Sequence, residues 1–186
     1  MSVLRVENVS KAFPGTLALD NVSCQFESGK VNALVGKNGS GKTTLLKIIN
    51  GAHRATSGKV YLDGDELDYD SPAEAQQRGI AMVYQELSLI PGLSVAENIL
   101  MGQYSMKGKL VDWKKTYAAA EEILRSMNIQ IDPRTQVSHL SMWQCQMVEI
   151  AKAMSRQPKV LLLDEPTAAL AQHETKILFE LIRDLK

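Results

Sequence analysis

Residues 36–43 read Gly-Lys-Asn-Gly-Ser-Gly-Lys-Thr, and no other stretch restricts the fold of this chain so tightly. Three glycines, a lysine and a hydroxyl stand in the order G-x-x-x-x-G-K-[ST], the spacing of a loop that wraps its backbone around a polyphosphate. Glycine lets the backbone approach closely. The amides and the start of the following helix then point at negative charge. The flanks are in register with that reading. An apolar segment, Val31-Asn32-Ala33-Leu34-Val35, enters the loop and is expected to be a buried strand; a helical pattern, Thr44-Leu45-Leu46-Lys47-Ile48-Ile49, leaves it. The candidate binding residues are therefore Gly36, Lys37, Asn38, Gly39, Ser40, Gly41, Lys42, Thr43 and Thr44. Lys42 is expected to reach the outer phosphates and the Thr43 hydroxyl to ligate Mg²⁺.

The chain has 186 residues, enough for one domain with a hydrophobic core. Its 21 lysines and arginines balance its 21 aspartates and glutamates, which argues against the broad basic face that nucleic-acid binding needs and leaves room for a local basic patch. Cys24 and Cys145 lie far apart, in no metal-binding spacing, and read as reduced thiols. The segment Met1-Ser2-Val3-Leu4-Arg5 is not a signal peptide, and the longest apolar run, Val160 to Leu163, is too short to cross a bilayer. If the protein serves a membrane process, the spanning part is expected on another chain.

Along the chain, Leu4–Ser10 and Ala18–Phe26 alternate as strands around a Pro14-Gly15 turn, and residues 58–65 read as a strand ending in an Asp-Gly turn. Ser71-Pro72-Ala73-Glu74 starts a helix that Gly79 stops, and Ile80 to Tyr84 is a short strand ending at Gln85. The middle is helical. Ser94 and Glu97 form a capping box, Asp112 starts a helix running to about Met127, and Ser141 with Gln144 starts a third. Lys159 to Leu163 returns as a strand expected to be fully buried. From Glu174 to Leu185, residues Ile177, Leu178, Leu181, Ile182 and Leu185 share one helical face. The chain closes in mid-helical pattern, which suggests a truncated gene product or an expressed fragment.

Val160-Leu161-Leu162-Leu163-Asp164-Glu165 supplies a second candidate element. Asp164, at the strand's C-terminal end, can hold Mg²⁺ through water, and Glu165 can polarise a water for attack on a terminal phosphate. In open α/β sheets ligands sit at such strand ends, so the two motifs are expected to converge. Read alone, the two acids could equally cap the next helix.

Together, GKNGSGKTT, LSMWQCQM and VLLLDEPTAAL resemble the ATP-binding cassette (ABC) ATPases that drive membrane transporters, over the whole chain. AMVYQELSLIPGLSVAENILMG and QMVEIAKAM look more narrowly like the ATPases of bacterial monosaccharide importers of the ribose, galactose, xylose and arabinose kind. The resemblance implies an α/β fold of P-loop NTPase type, with N-terminal antiparallel β strands, a parallel core sheet and a helical subdomain inserted at approximately residues 88–157. It implies one incomplete nucleotide-binding domain over 1–186, its C-terminal part missing. ATP and Mg²⁺ are the implied cofactors. Phe13 falls where an aromatic stacks on adenine, Gln85 where a glutamine touches Mg²⁺ and the attacking water, and Glu165 and Gln85 become the catalytic pair. Thr43, Gln85 and Asp164 become the metal ligands. Ser141 belongs to the signature segment that faces ATP bound to the opposing subunit. The implied partners are a second cassette, transmembrane permease subunits and, indirectly, a sugar-binding protein. The implied place is the cytoplasmic face of the membrane, as a peripheral subunit.

Three departures accompany the resemblance. Trp143 stands where the family has a small residue, and is expected either to crowd the phosphate or to swing its ring outward. The family's switch histidine has no counterpart, and His53, His139 and His173 read as surface histidines. Ala168-Ala169-Leu170-Ala171 fits a dimer-contact loop but has Ala171 where many members have Asp. An ATP-binding module with little hydrolysis, and a soluble non-transport cassette, are the alternative readings.

Overall fold

The computed structural model describes residues 2–168 and 170–185; Met1, Ala169 and Lys186 lie outside them, and with Ala169 the centre of the expected dimer-contact loop. The chain divides into two compact units, residues 1–80 and 81–185.

The first unit is built on an antiparallel sheet. Strands β1 (Ser2–Phe13) and β2 (Thr16–Glu27) form a hairpin around Pro14-Gly15, and β3 (Ser57–Leu62) and β4 (Asp65–Glu66) complete the order β2-β1-β3-β4. Leu4 and Val6 of β1 and Val60 and Leu62 of β3 are buried in the alternation that a one-sided sheet requires, and Val9 is buried beyond a register shift that lies between Val6 and Val9. The turn between β3 and β4 uses Asp63 at φ 53° and Gly64 at φ 96°, the pair of left-handed residues a tight hairpin favours. Helix α1 (Lys42–Ile49) buries Leu45, Ile48 and Ile49. Helix α2 (Pro72–Gln77) starts as the sequence indicates, with the Ser71 hydroxyl accepting from Glu74 N at 3.3 Å.

Segment 31–37 departs from the expected buried strand. It belongs to neither edge of the four-stranded sheet, and Val31 and Val35 are 57% and 88% exposed. The apolar, β-branched composition signals a preference for a sheet interior. A strand, however, forms only when a neighbouring backbone pairs with it, and here β2 and β4 end the sheet without it.

The second unit is helical around a short sheet. Strand β5 (Ile80–Val83) pairs with a later strand; between them lie α3 (Val95–Ile99), the hairpin β6 (Met106–Lys107) and β7 (Leu110–Val111), α4 (Trp113–Ser126), a 3-10 turn at Val137–His139 and α5 (Met142–Met154). Strand β8 (Val160–Leu163), which pairs with β5, and α6 (Gln172–Asp184) follow. In β8 only Leu162 is buried; its neighbours are half-buried, because a two-stranded sheet leaves its flanks open. Every helix start is a local device. Ser94 and Glu97 form a complete capping box on α3, Asp112 accepts from Lys115 N at 3.2 Å on α4, and Ser141 and Gln144 box α5. The buried face of α4, Thr116, Ala120 and Leu124, recurs every four residues. It joins Met147, Val148, Ile150 and Ala151 of α5 and Leu178 and Leu181 of α6 in one cluster, where each fully buried aliphatic contributes about 1.5–3 kcal/mol.

Asn98 secures the loop between β5 and α3. It has no exposed surface, accepts from Ile90 N at 2.7 Å and donates to Ile90 O at 3.1 Å and Ser94 O at 3.0 Å. Replacing Asn98 with Ala leaves the Ile90 amide and carbonyl without these partners, and urea unfolding is expected to show a loss of about 2–3 kcal/mol. Asn98→Asp, which sets a buried carboxylate against the carbonyl oxygens of Ile90 and Ser94, is expected to cost at least as much as Ala.

Candidate functional site

The phosphate loop forms from its glycines. Gly39 and Gly41 have φ of 78° and 90°, a region that other L-residues enter only under strain. Gly41 is also the N-cap of α1, with no side chain capping the helix. A Cβ on Gly41 would stand 2.5 Å from the carbonyl oxygen of Ala18 and 2.6 Å from Leu19 Cδ2, so β2 presses directly on the loop; a Cβ on Gly39 would meet nothing within 4 Å. Two different needs therefore fix the two glycines: conformation alone at Gly39, conformation and close approach at Gly41.

Lys42 turns its side chain back into the loop. Its Nζ donates to the carbonyls of Gly36 and Lys37, each at 3.0 Å, and Ser40 N donates to Lys37 O at 3.1 Å. The ammonium thus sits inside the ring of backbone that its own helix begins. The N-terminus of α1 carries the equivalent of about half a positive charge and has no acidic residue in its first turn. Ammonium, helix end and glycine backbone together form an anion site of the type that binds phosphate.

Phe13, the last residue of β1, is 37% exposed in the same unit. It is not isolated. His53 meets it edge-to-face at 5.5 Å between ring centres, and Lys11 Nζ lies 5.0 Å from the ring. His53 is half-buried, held by its backbone amide to Lys47 O just past α1. It is therefore an aromatic neighbour of Phe13 and not the surface histidine expected; His139 and His173 are exposed as expected. Long-range bonds between the end of β1 and Thr56 (Thr56 N to Ser10 O at 2.8 Å, Ala12 N to Thr56 Oγ1 at 3.0 Å) bring the two rings together, so nothing in the local sequence around His53 signals the contact.

In the second unit, Val83 O accepts from Asp164 N at 3.0 Å, so the ends of β5 and β8 lie side by side. This brings together Gln85, two residues past β5 and exposed, with Asp164 and Glu165. Asp164 is 4% exposed, whereas Glu165, at φ 47°, turns outward into solvent. One carboxylate is thus fixed in the protein and the next is free to face a ligand. The Gln85 amide oxygen and the Asp164 carboxylate in this unit, and the Thr43 hydroxyl in the first unit, are each oxygen donors of the class Mg²⁺ prefers.

Helix α5 carries two further residues that the sequence singles out, Ser141 and Trp143. Ser141 caps it, its hydroxyl accepting from Gln144 N at 3.3 Å while Gln144 Oε1 accepts from Ser141 N at 2.9 Å. Ser141 is exposed and its hydroxyl proton remains available to an outside acceptor. Trp143 does not swing its ring fully outward: the half-buried ring packs against the core cluster of its own unit. The adjacent Cys145 thiol is pushed up from its ordinary value, first by burial and then by Glu149, which keeps it protonated and unreactive.

One turn further on, Glu149 and Lys152 grip the loop that follows Gln85. Buried Glu149 accepts from Ser88 N, and Lys152 Nζ donates to Ser88 Oγ at 2.9 Å and Ser88 O at 3.3 Å. Sequence reasoning missed this clamp. The signal available was a Glu and a Lys three residues apart on a helix whose surrounding face is apolar.

The sequence profile of the ABC transporter family matches residues 19–168. The chain is 46% identical over 185 residues to an arabinose import ATP-binding protein of Vibrio parahaemolyticus, covering 100% of this chain and 37% of that protein. It is 45% identical over 184 residues to a galactose/methyl galactoside import ATP-binding protein of Fusobacterium nucleatum, covering 99% of this chain and 37% of the relative. The chain thus spans little more than a third of the length of these relatives. A dimeric ATP-binding cassette in a post-hydrolysis state, bound to ADP and Pi, superposes with a TM-score of 0.81 at 30% identity, over 98% of this chain and 82% of that one.

The two glycines separate conformation from packing. Gly39→Ala is expected to cost about 1–2 kcal/mol of stability through backbone strain alone. Gly41→Ala adds overlap with β2 and is expected to cost about 2–4 kcal/mol. Urea unfolding without nucleotide measures both; equal losses would show that the contact with Ala18 is relaxed at no cost.

Proposed function

Because the chain belongs to the ABC transporter family, we propose that it is the ATP-binding and ATP-hydrolysing part of a bacterial sugar importer, working as a peripheral subunit on the cytoplasmic face of the membrane. The observation that carries this reading is the Lys42 ammonium held inside a glycine loop at the start of α1. The naming of its relatives for arabinose and galactose import supports the choice of cargo.

In this reading the glycine loop, Gly36 to Gly41, and Lys42 bind the phosphates of ATP, with Thr43 and Thr44 at the first turn of α1. Phe13, steadied by His53, offers its ring to the adenine, a contact contributing about 0.5–1.5 kcal/mol beyond burial. Mg²⁺, when bound, neutralises charge developing on the phosphate oxygens; Thr43, Gln85 and Asp164 would hold it. Glu165 accepts a proton from the attacking water, and Gln85 orients that water by hydrogen bonding. Ser141 and the N-terminus of α5 serve the ATP of a second cassette, since an exposed hydroxyl at a helix start suits a phosphate oxygen. The dimeric, ADP- and Pi-bound state of the structural relative supports this pairing. The two compact units then belong to one nucleotide-binding domain, docked under permease subunits that a sugar-binding protein supplies.

The catalytic assignment separates binding from chemistry. Glu165→Gln keeps the shape and hydrogen bonding of the side chain but removes the base. Pi release is expected to fall at least about 100-fold, with Mg·ATP affinity within about twofold of the parent. A parallel loss of both would show that Glu165 serves binding or folding instead. Absence of Pi release from the parent with nucleotide bound would reduce the protein to an ATP-binding module.

A further inference from the structure

Residues 104–115 read Tyr-Ser-Met-Lys-Gly-Lys-Leu-Val-Asp-Trp-Lys-Lys. Four lysines and one aspartate fall within twelve positions of a chain whose net charge is zero. The aspartate, Asp112, is committed to capping α4. Among the described residues, none of Lys107, Lys109, Lys114 and Lys115 forms an ion pair.

This segment folds into the β6–β7 hairpin, turned by Gly108 at φ 64°. Lys107 stands opposite Leu110, and Met106 opposite Val111. Opposed residues share a face and successive ones alternate, so Leu110 lies on one face of the ribbon and Met106 on the other. Both are uncovered, Leu110 at 76% and Met106 at 55% exposed. The base of the hairpin is rigid. Asp112 N donates to Ser105 O at 2.7 Å, and Ser105 N to Thr116 Oγ1 at 3.2 Å. Tyr104, Trp113 and Tyr117 form a row with ring centres 5.8 and 6.0 Å apart, closed by the Arg134 guanidinium 4.9 Å from Tyr117. Trp113, at the foot of the hairpin, is 43% exposed beside Lys114 and Lys115.

From this geometry we infer that the β6–β7 hairpin is a docking element for an anionic lipid surface. Leu110 and Met106 enter the headgroup region, Trp113 sits at its boundary, and the four lysines meet the lipid phosphates. Trp and Lys are the side chains suited to that boundary, and cationic residues beside exposed apolar ones bind anionic bilayers by combined attraction and insertion. A pocket on a partner protein would cover one face of the ribbon. A lipid interface surrounds a narrow tip, which matches apolar side chains on both faces. The inference goes beyond nucleotide binding and rests on the hairpin alone.

Co-sedimentation of the chain with vesicles, without nucleotide, tests it. Binding to phosphatidylcholine vesicles containing phosphatidylglycerol is expected to exceed binding to phosphatidylcholine alone by roughly tenfold or more at low salt, and to weaken as salt is raised. The double variants Lys107→Glu/Lys109→Glu and Met106→Ser/Leu110→Ser are each expected to lose about tenfold, with circular dichroism unchanged because all four side chains are exposed. Equal binding to both vesicle types, no binding, or binding indifferent to both double variants would overturn the inference. Binding to soluble polyglutamate as strong as to vesicles, and unaffected by Met106→Ser/Leu110→Ser, would also overturn it by assigning the lysines to an acidic protein partner.

Discussion

The close approach of β2 to the glycine loop is the contact on which the first unit depends, because it decides what can stand at the start of α1. Gly41 is at once the cap of α1, a residue at φ 90° and the point where β2 touches the loop. Any Cβ there would strike the carbonyl oxygen of Ala18. The hairpin of β1 and β2 therefore does more than make a sheet. It backs the loop whose carbonyls receive the Lys42 ammonium, and its β1 strand delivers Phe13 to an edge where His53 can brace the ring.

The second unit solves a different problem, holding an irregular loop in place without making it part of a helix or strand. The loop after Gln85 is fixed at Ser88 by Glu149 and Lys152 and at Ile90 by Asn98. Each bond goes to backbone or to a short side chain, so the loop's path is set by α3 and α5. Ser141 begins the same α5 that carries Glu149 and Lys152. A displacement of that helix would therefore be felt at both Ser141 and the segment bearing Gln85. The cost of breaking such a link is high because Glu149 and Asn98 are buried, and unmade hydrogen bonds there are not recovered from solvent.

Local chemistry was legible in the sequence. The capping residues Ser71, Ser94, Asp112 and Ser141 all stand where the residue patterns put them, because a cap is settled within four residues. The Asp63-Gly64 turn and the glycine loop were legible for the same reason. What depended on distant partners was not. Segment 31–35 has the composition of a buried strand yet lies in no sheet, since composition cannot supply a neighbour. The packing of Trp143 against its own unit's core, and that of His53 against Phe13, follow from tertiary contacts with no local signature. The candidate site was thus readable as residue types and spacing, while its bracing residues, His53, Glu149 and Lys152, emerged only from the fold.

In the proposed function, Lys42 and the glycine loop grip the phosphates of a magnesium nucleotide. Isothermal titration of Mg·ATP into the chain, with Lys42→Ala as the paired control, measures this most directly. Saturable one-to-one binding with a dissociation constant in the micromolar-to-millimolar range, lost in the Lys42→Ala protein, is the predicted result. No saturable heat from the parent chain, or the same heat from both proteins while both remain folded, would contradict it.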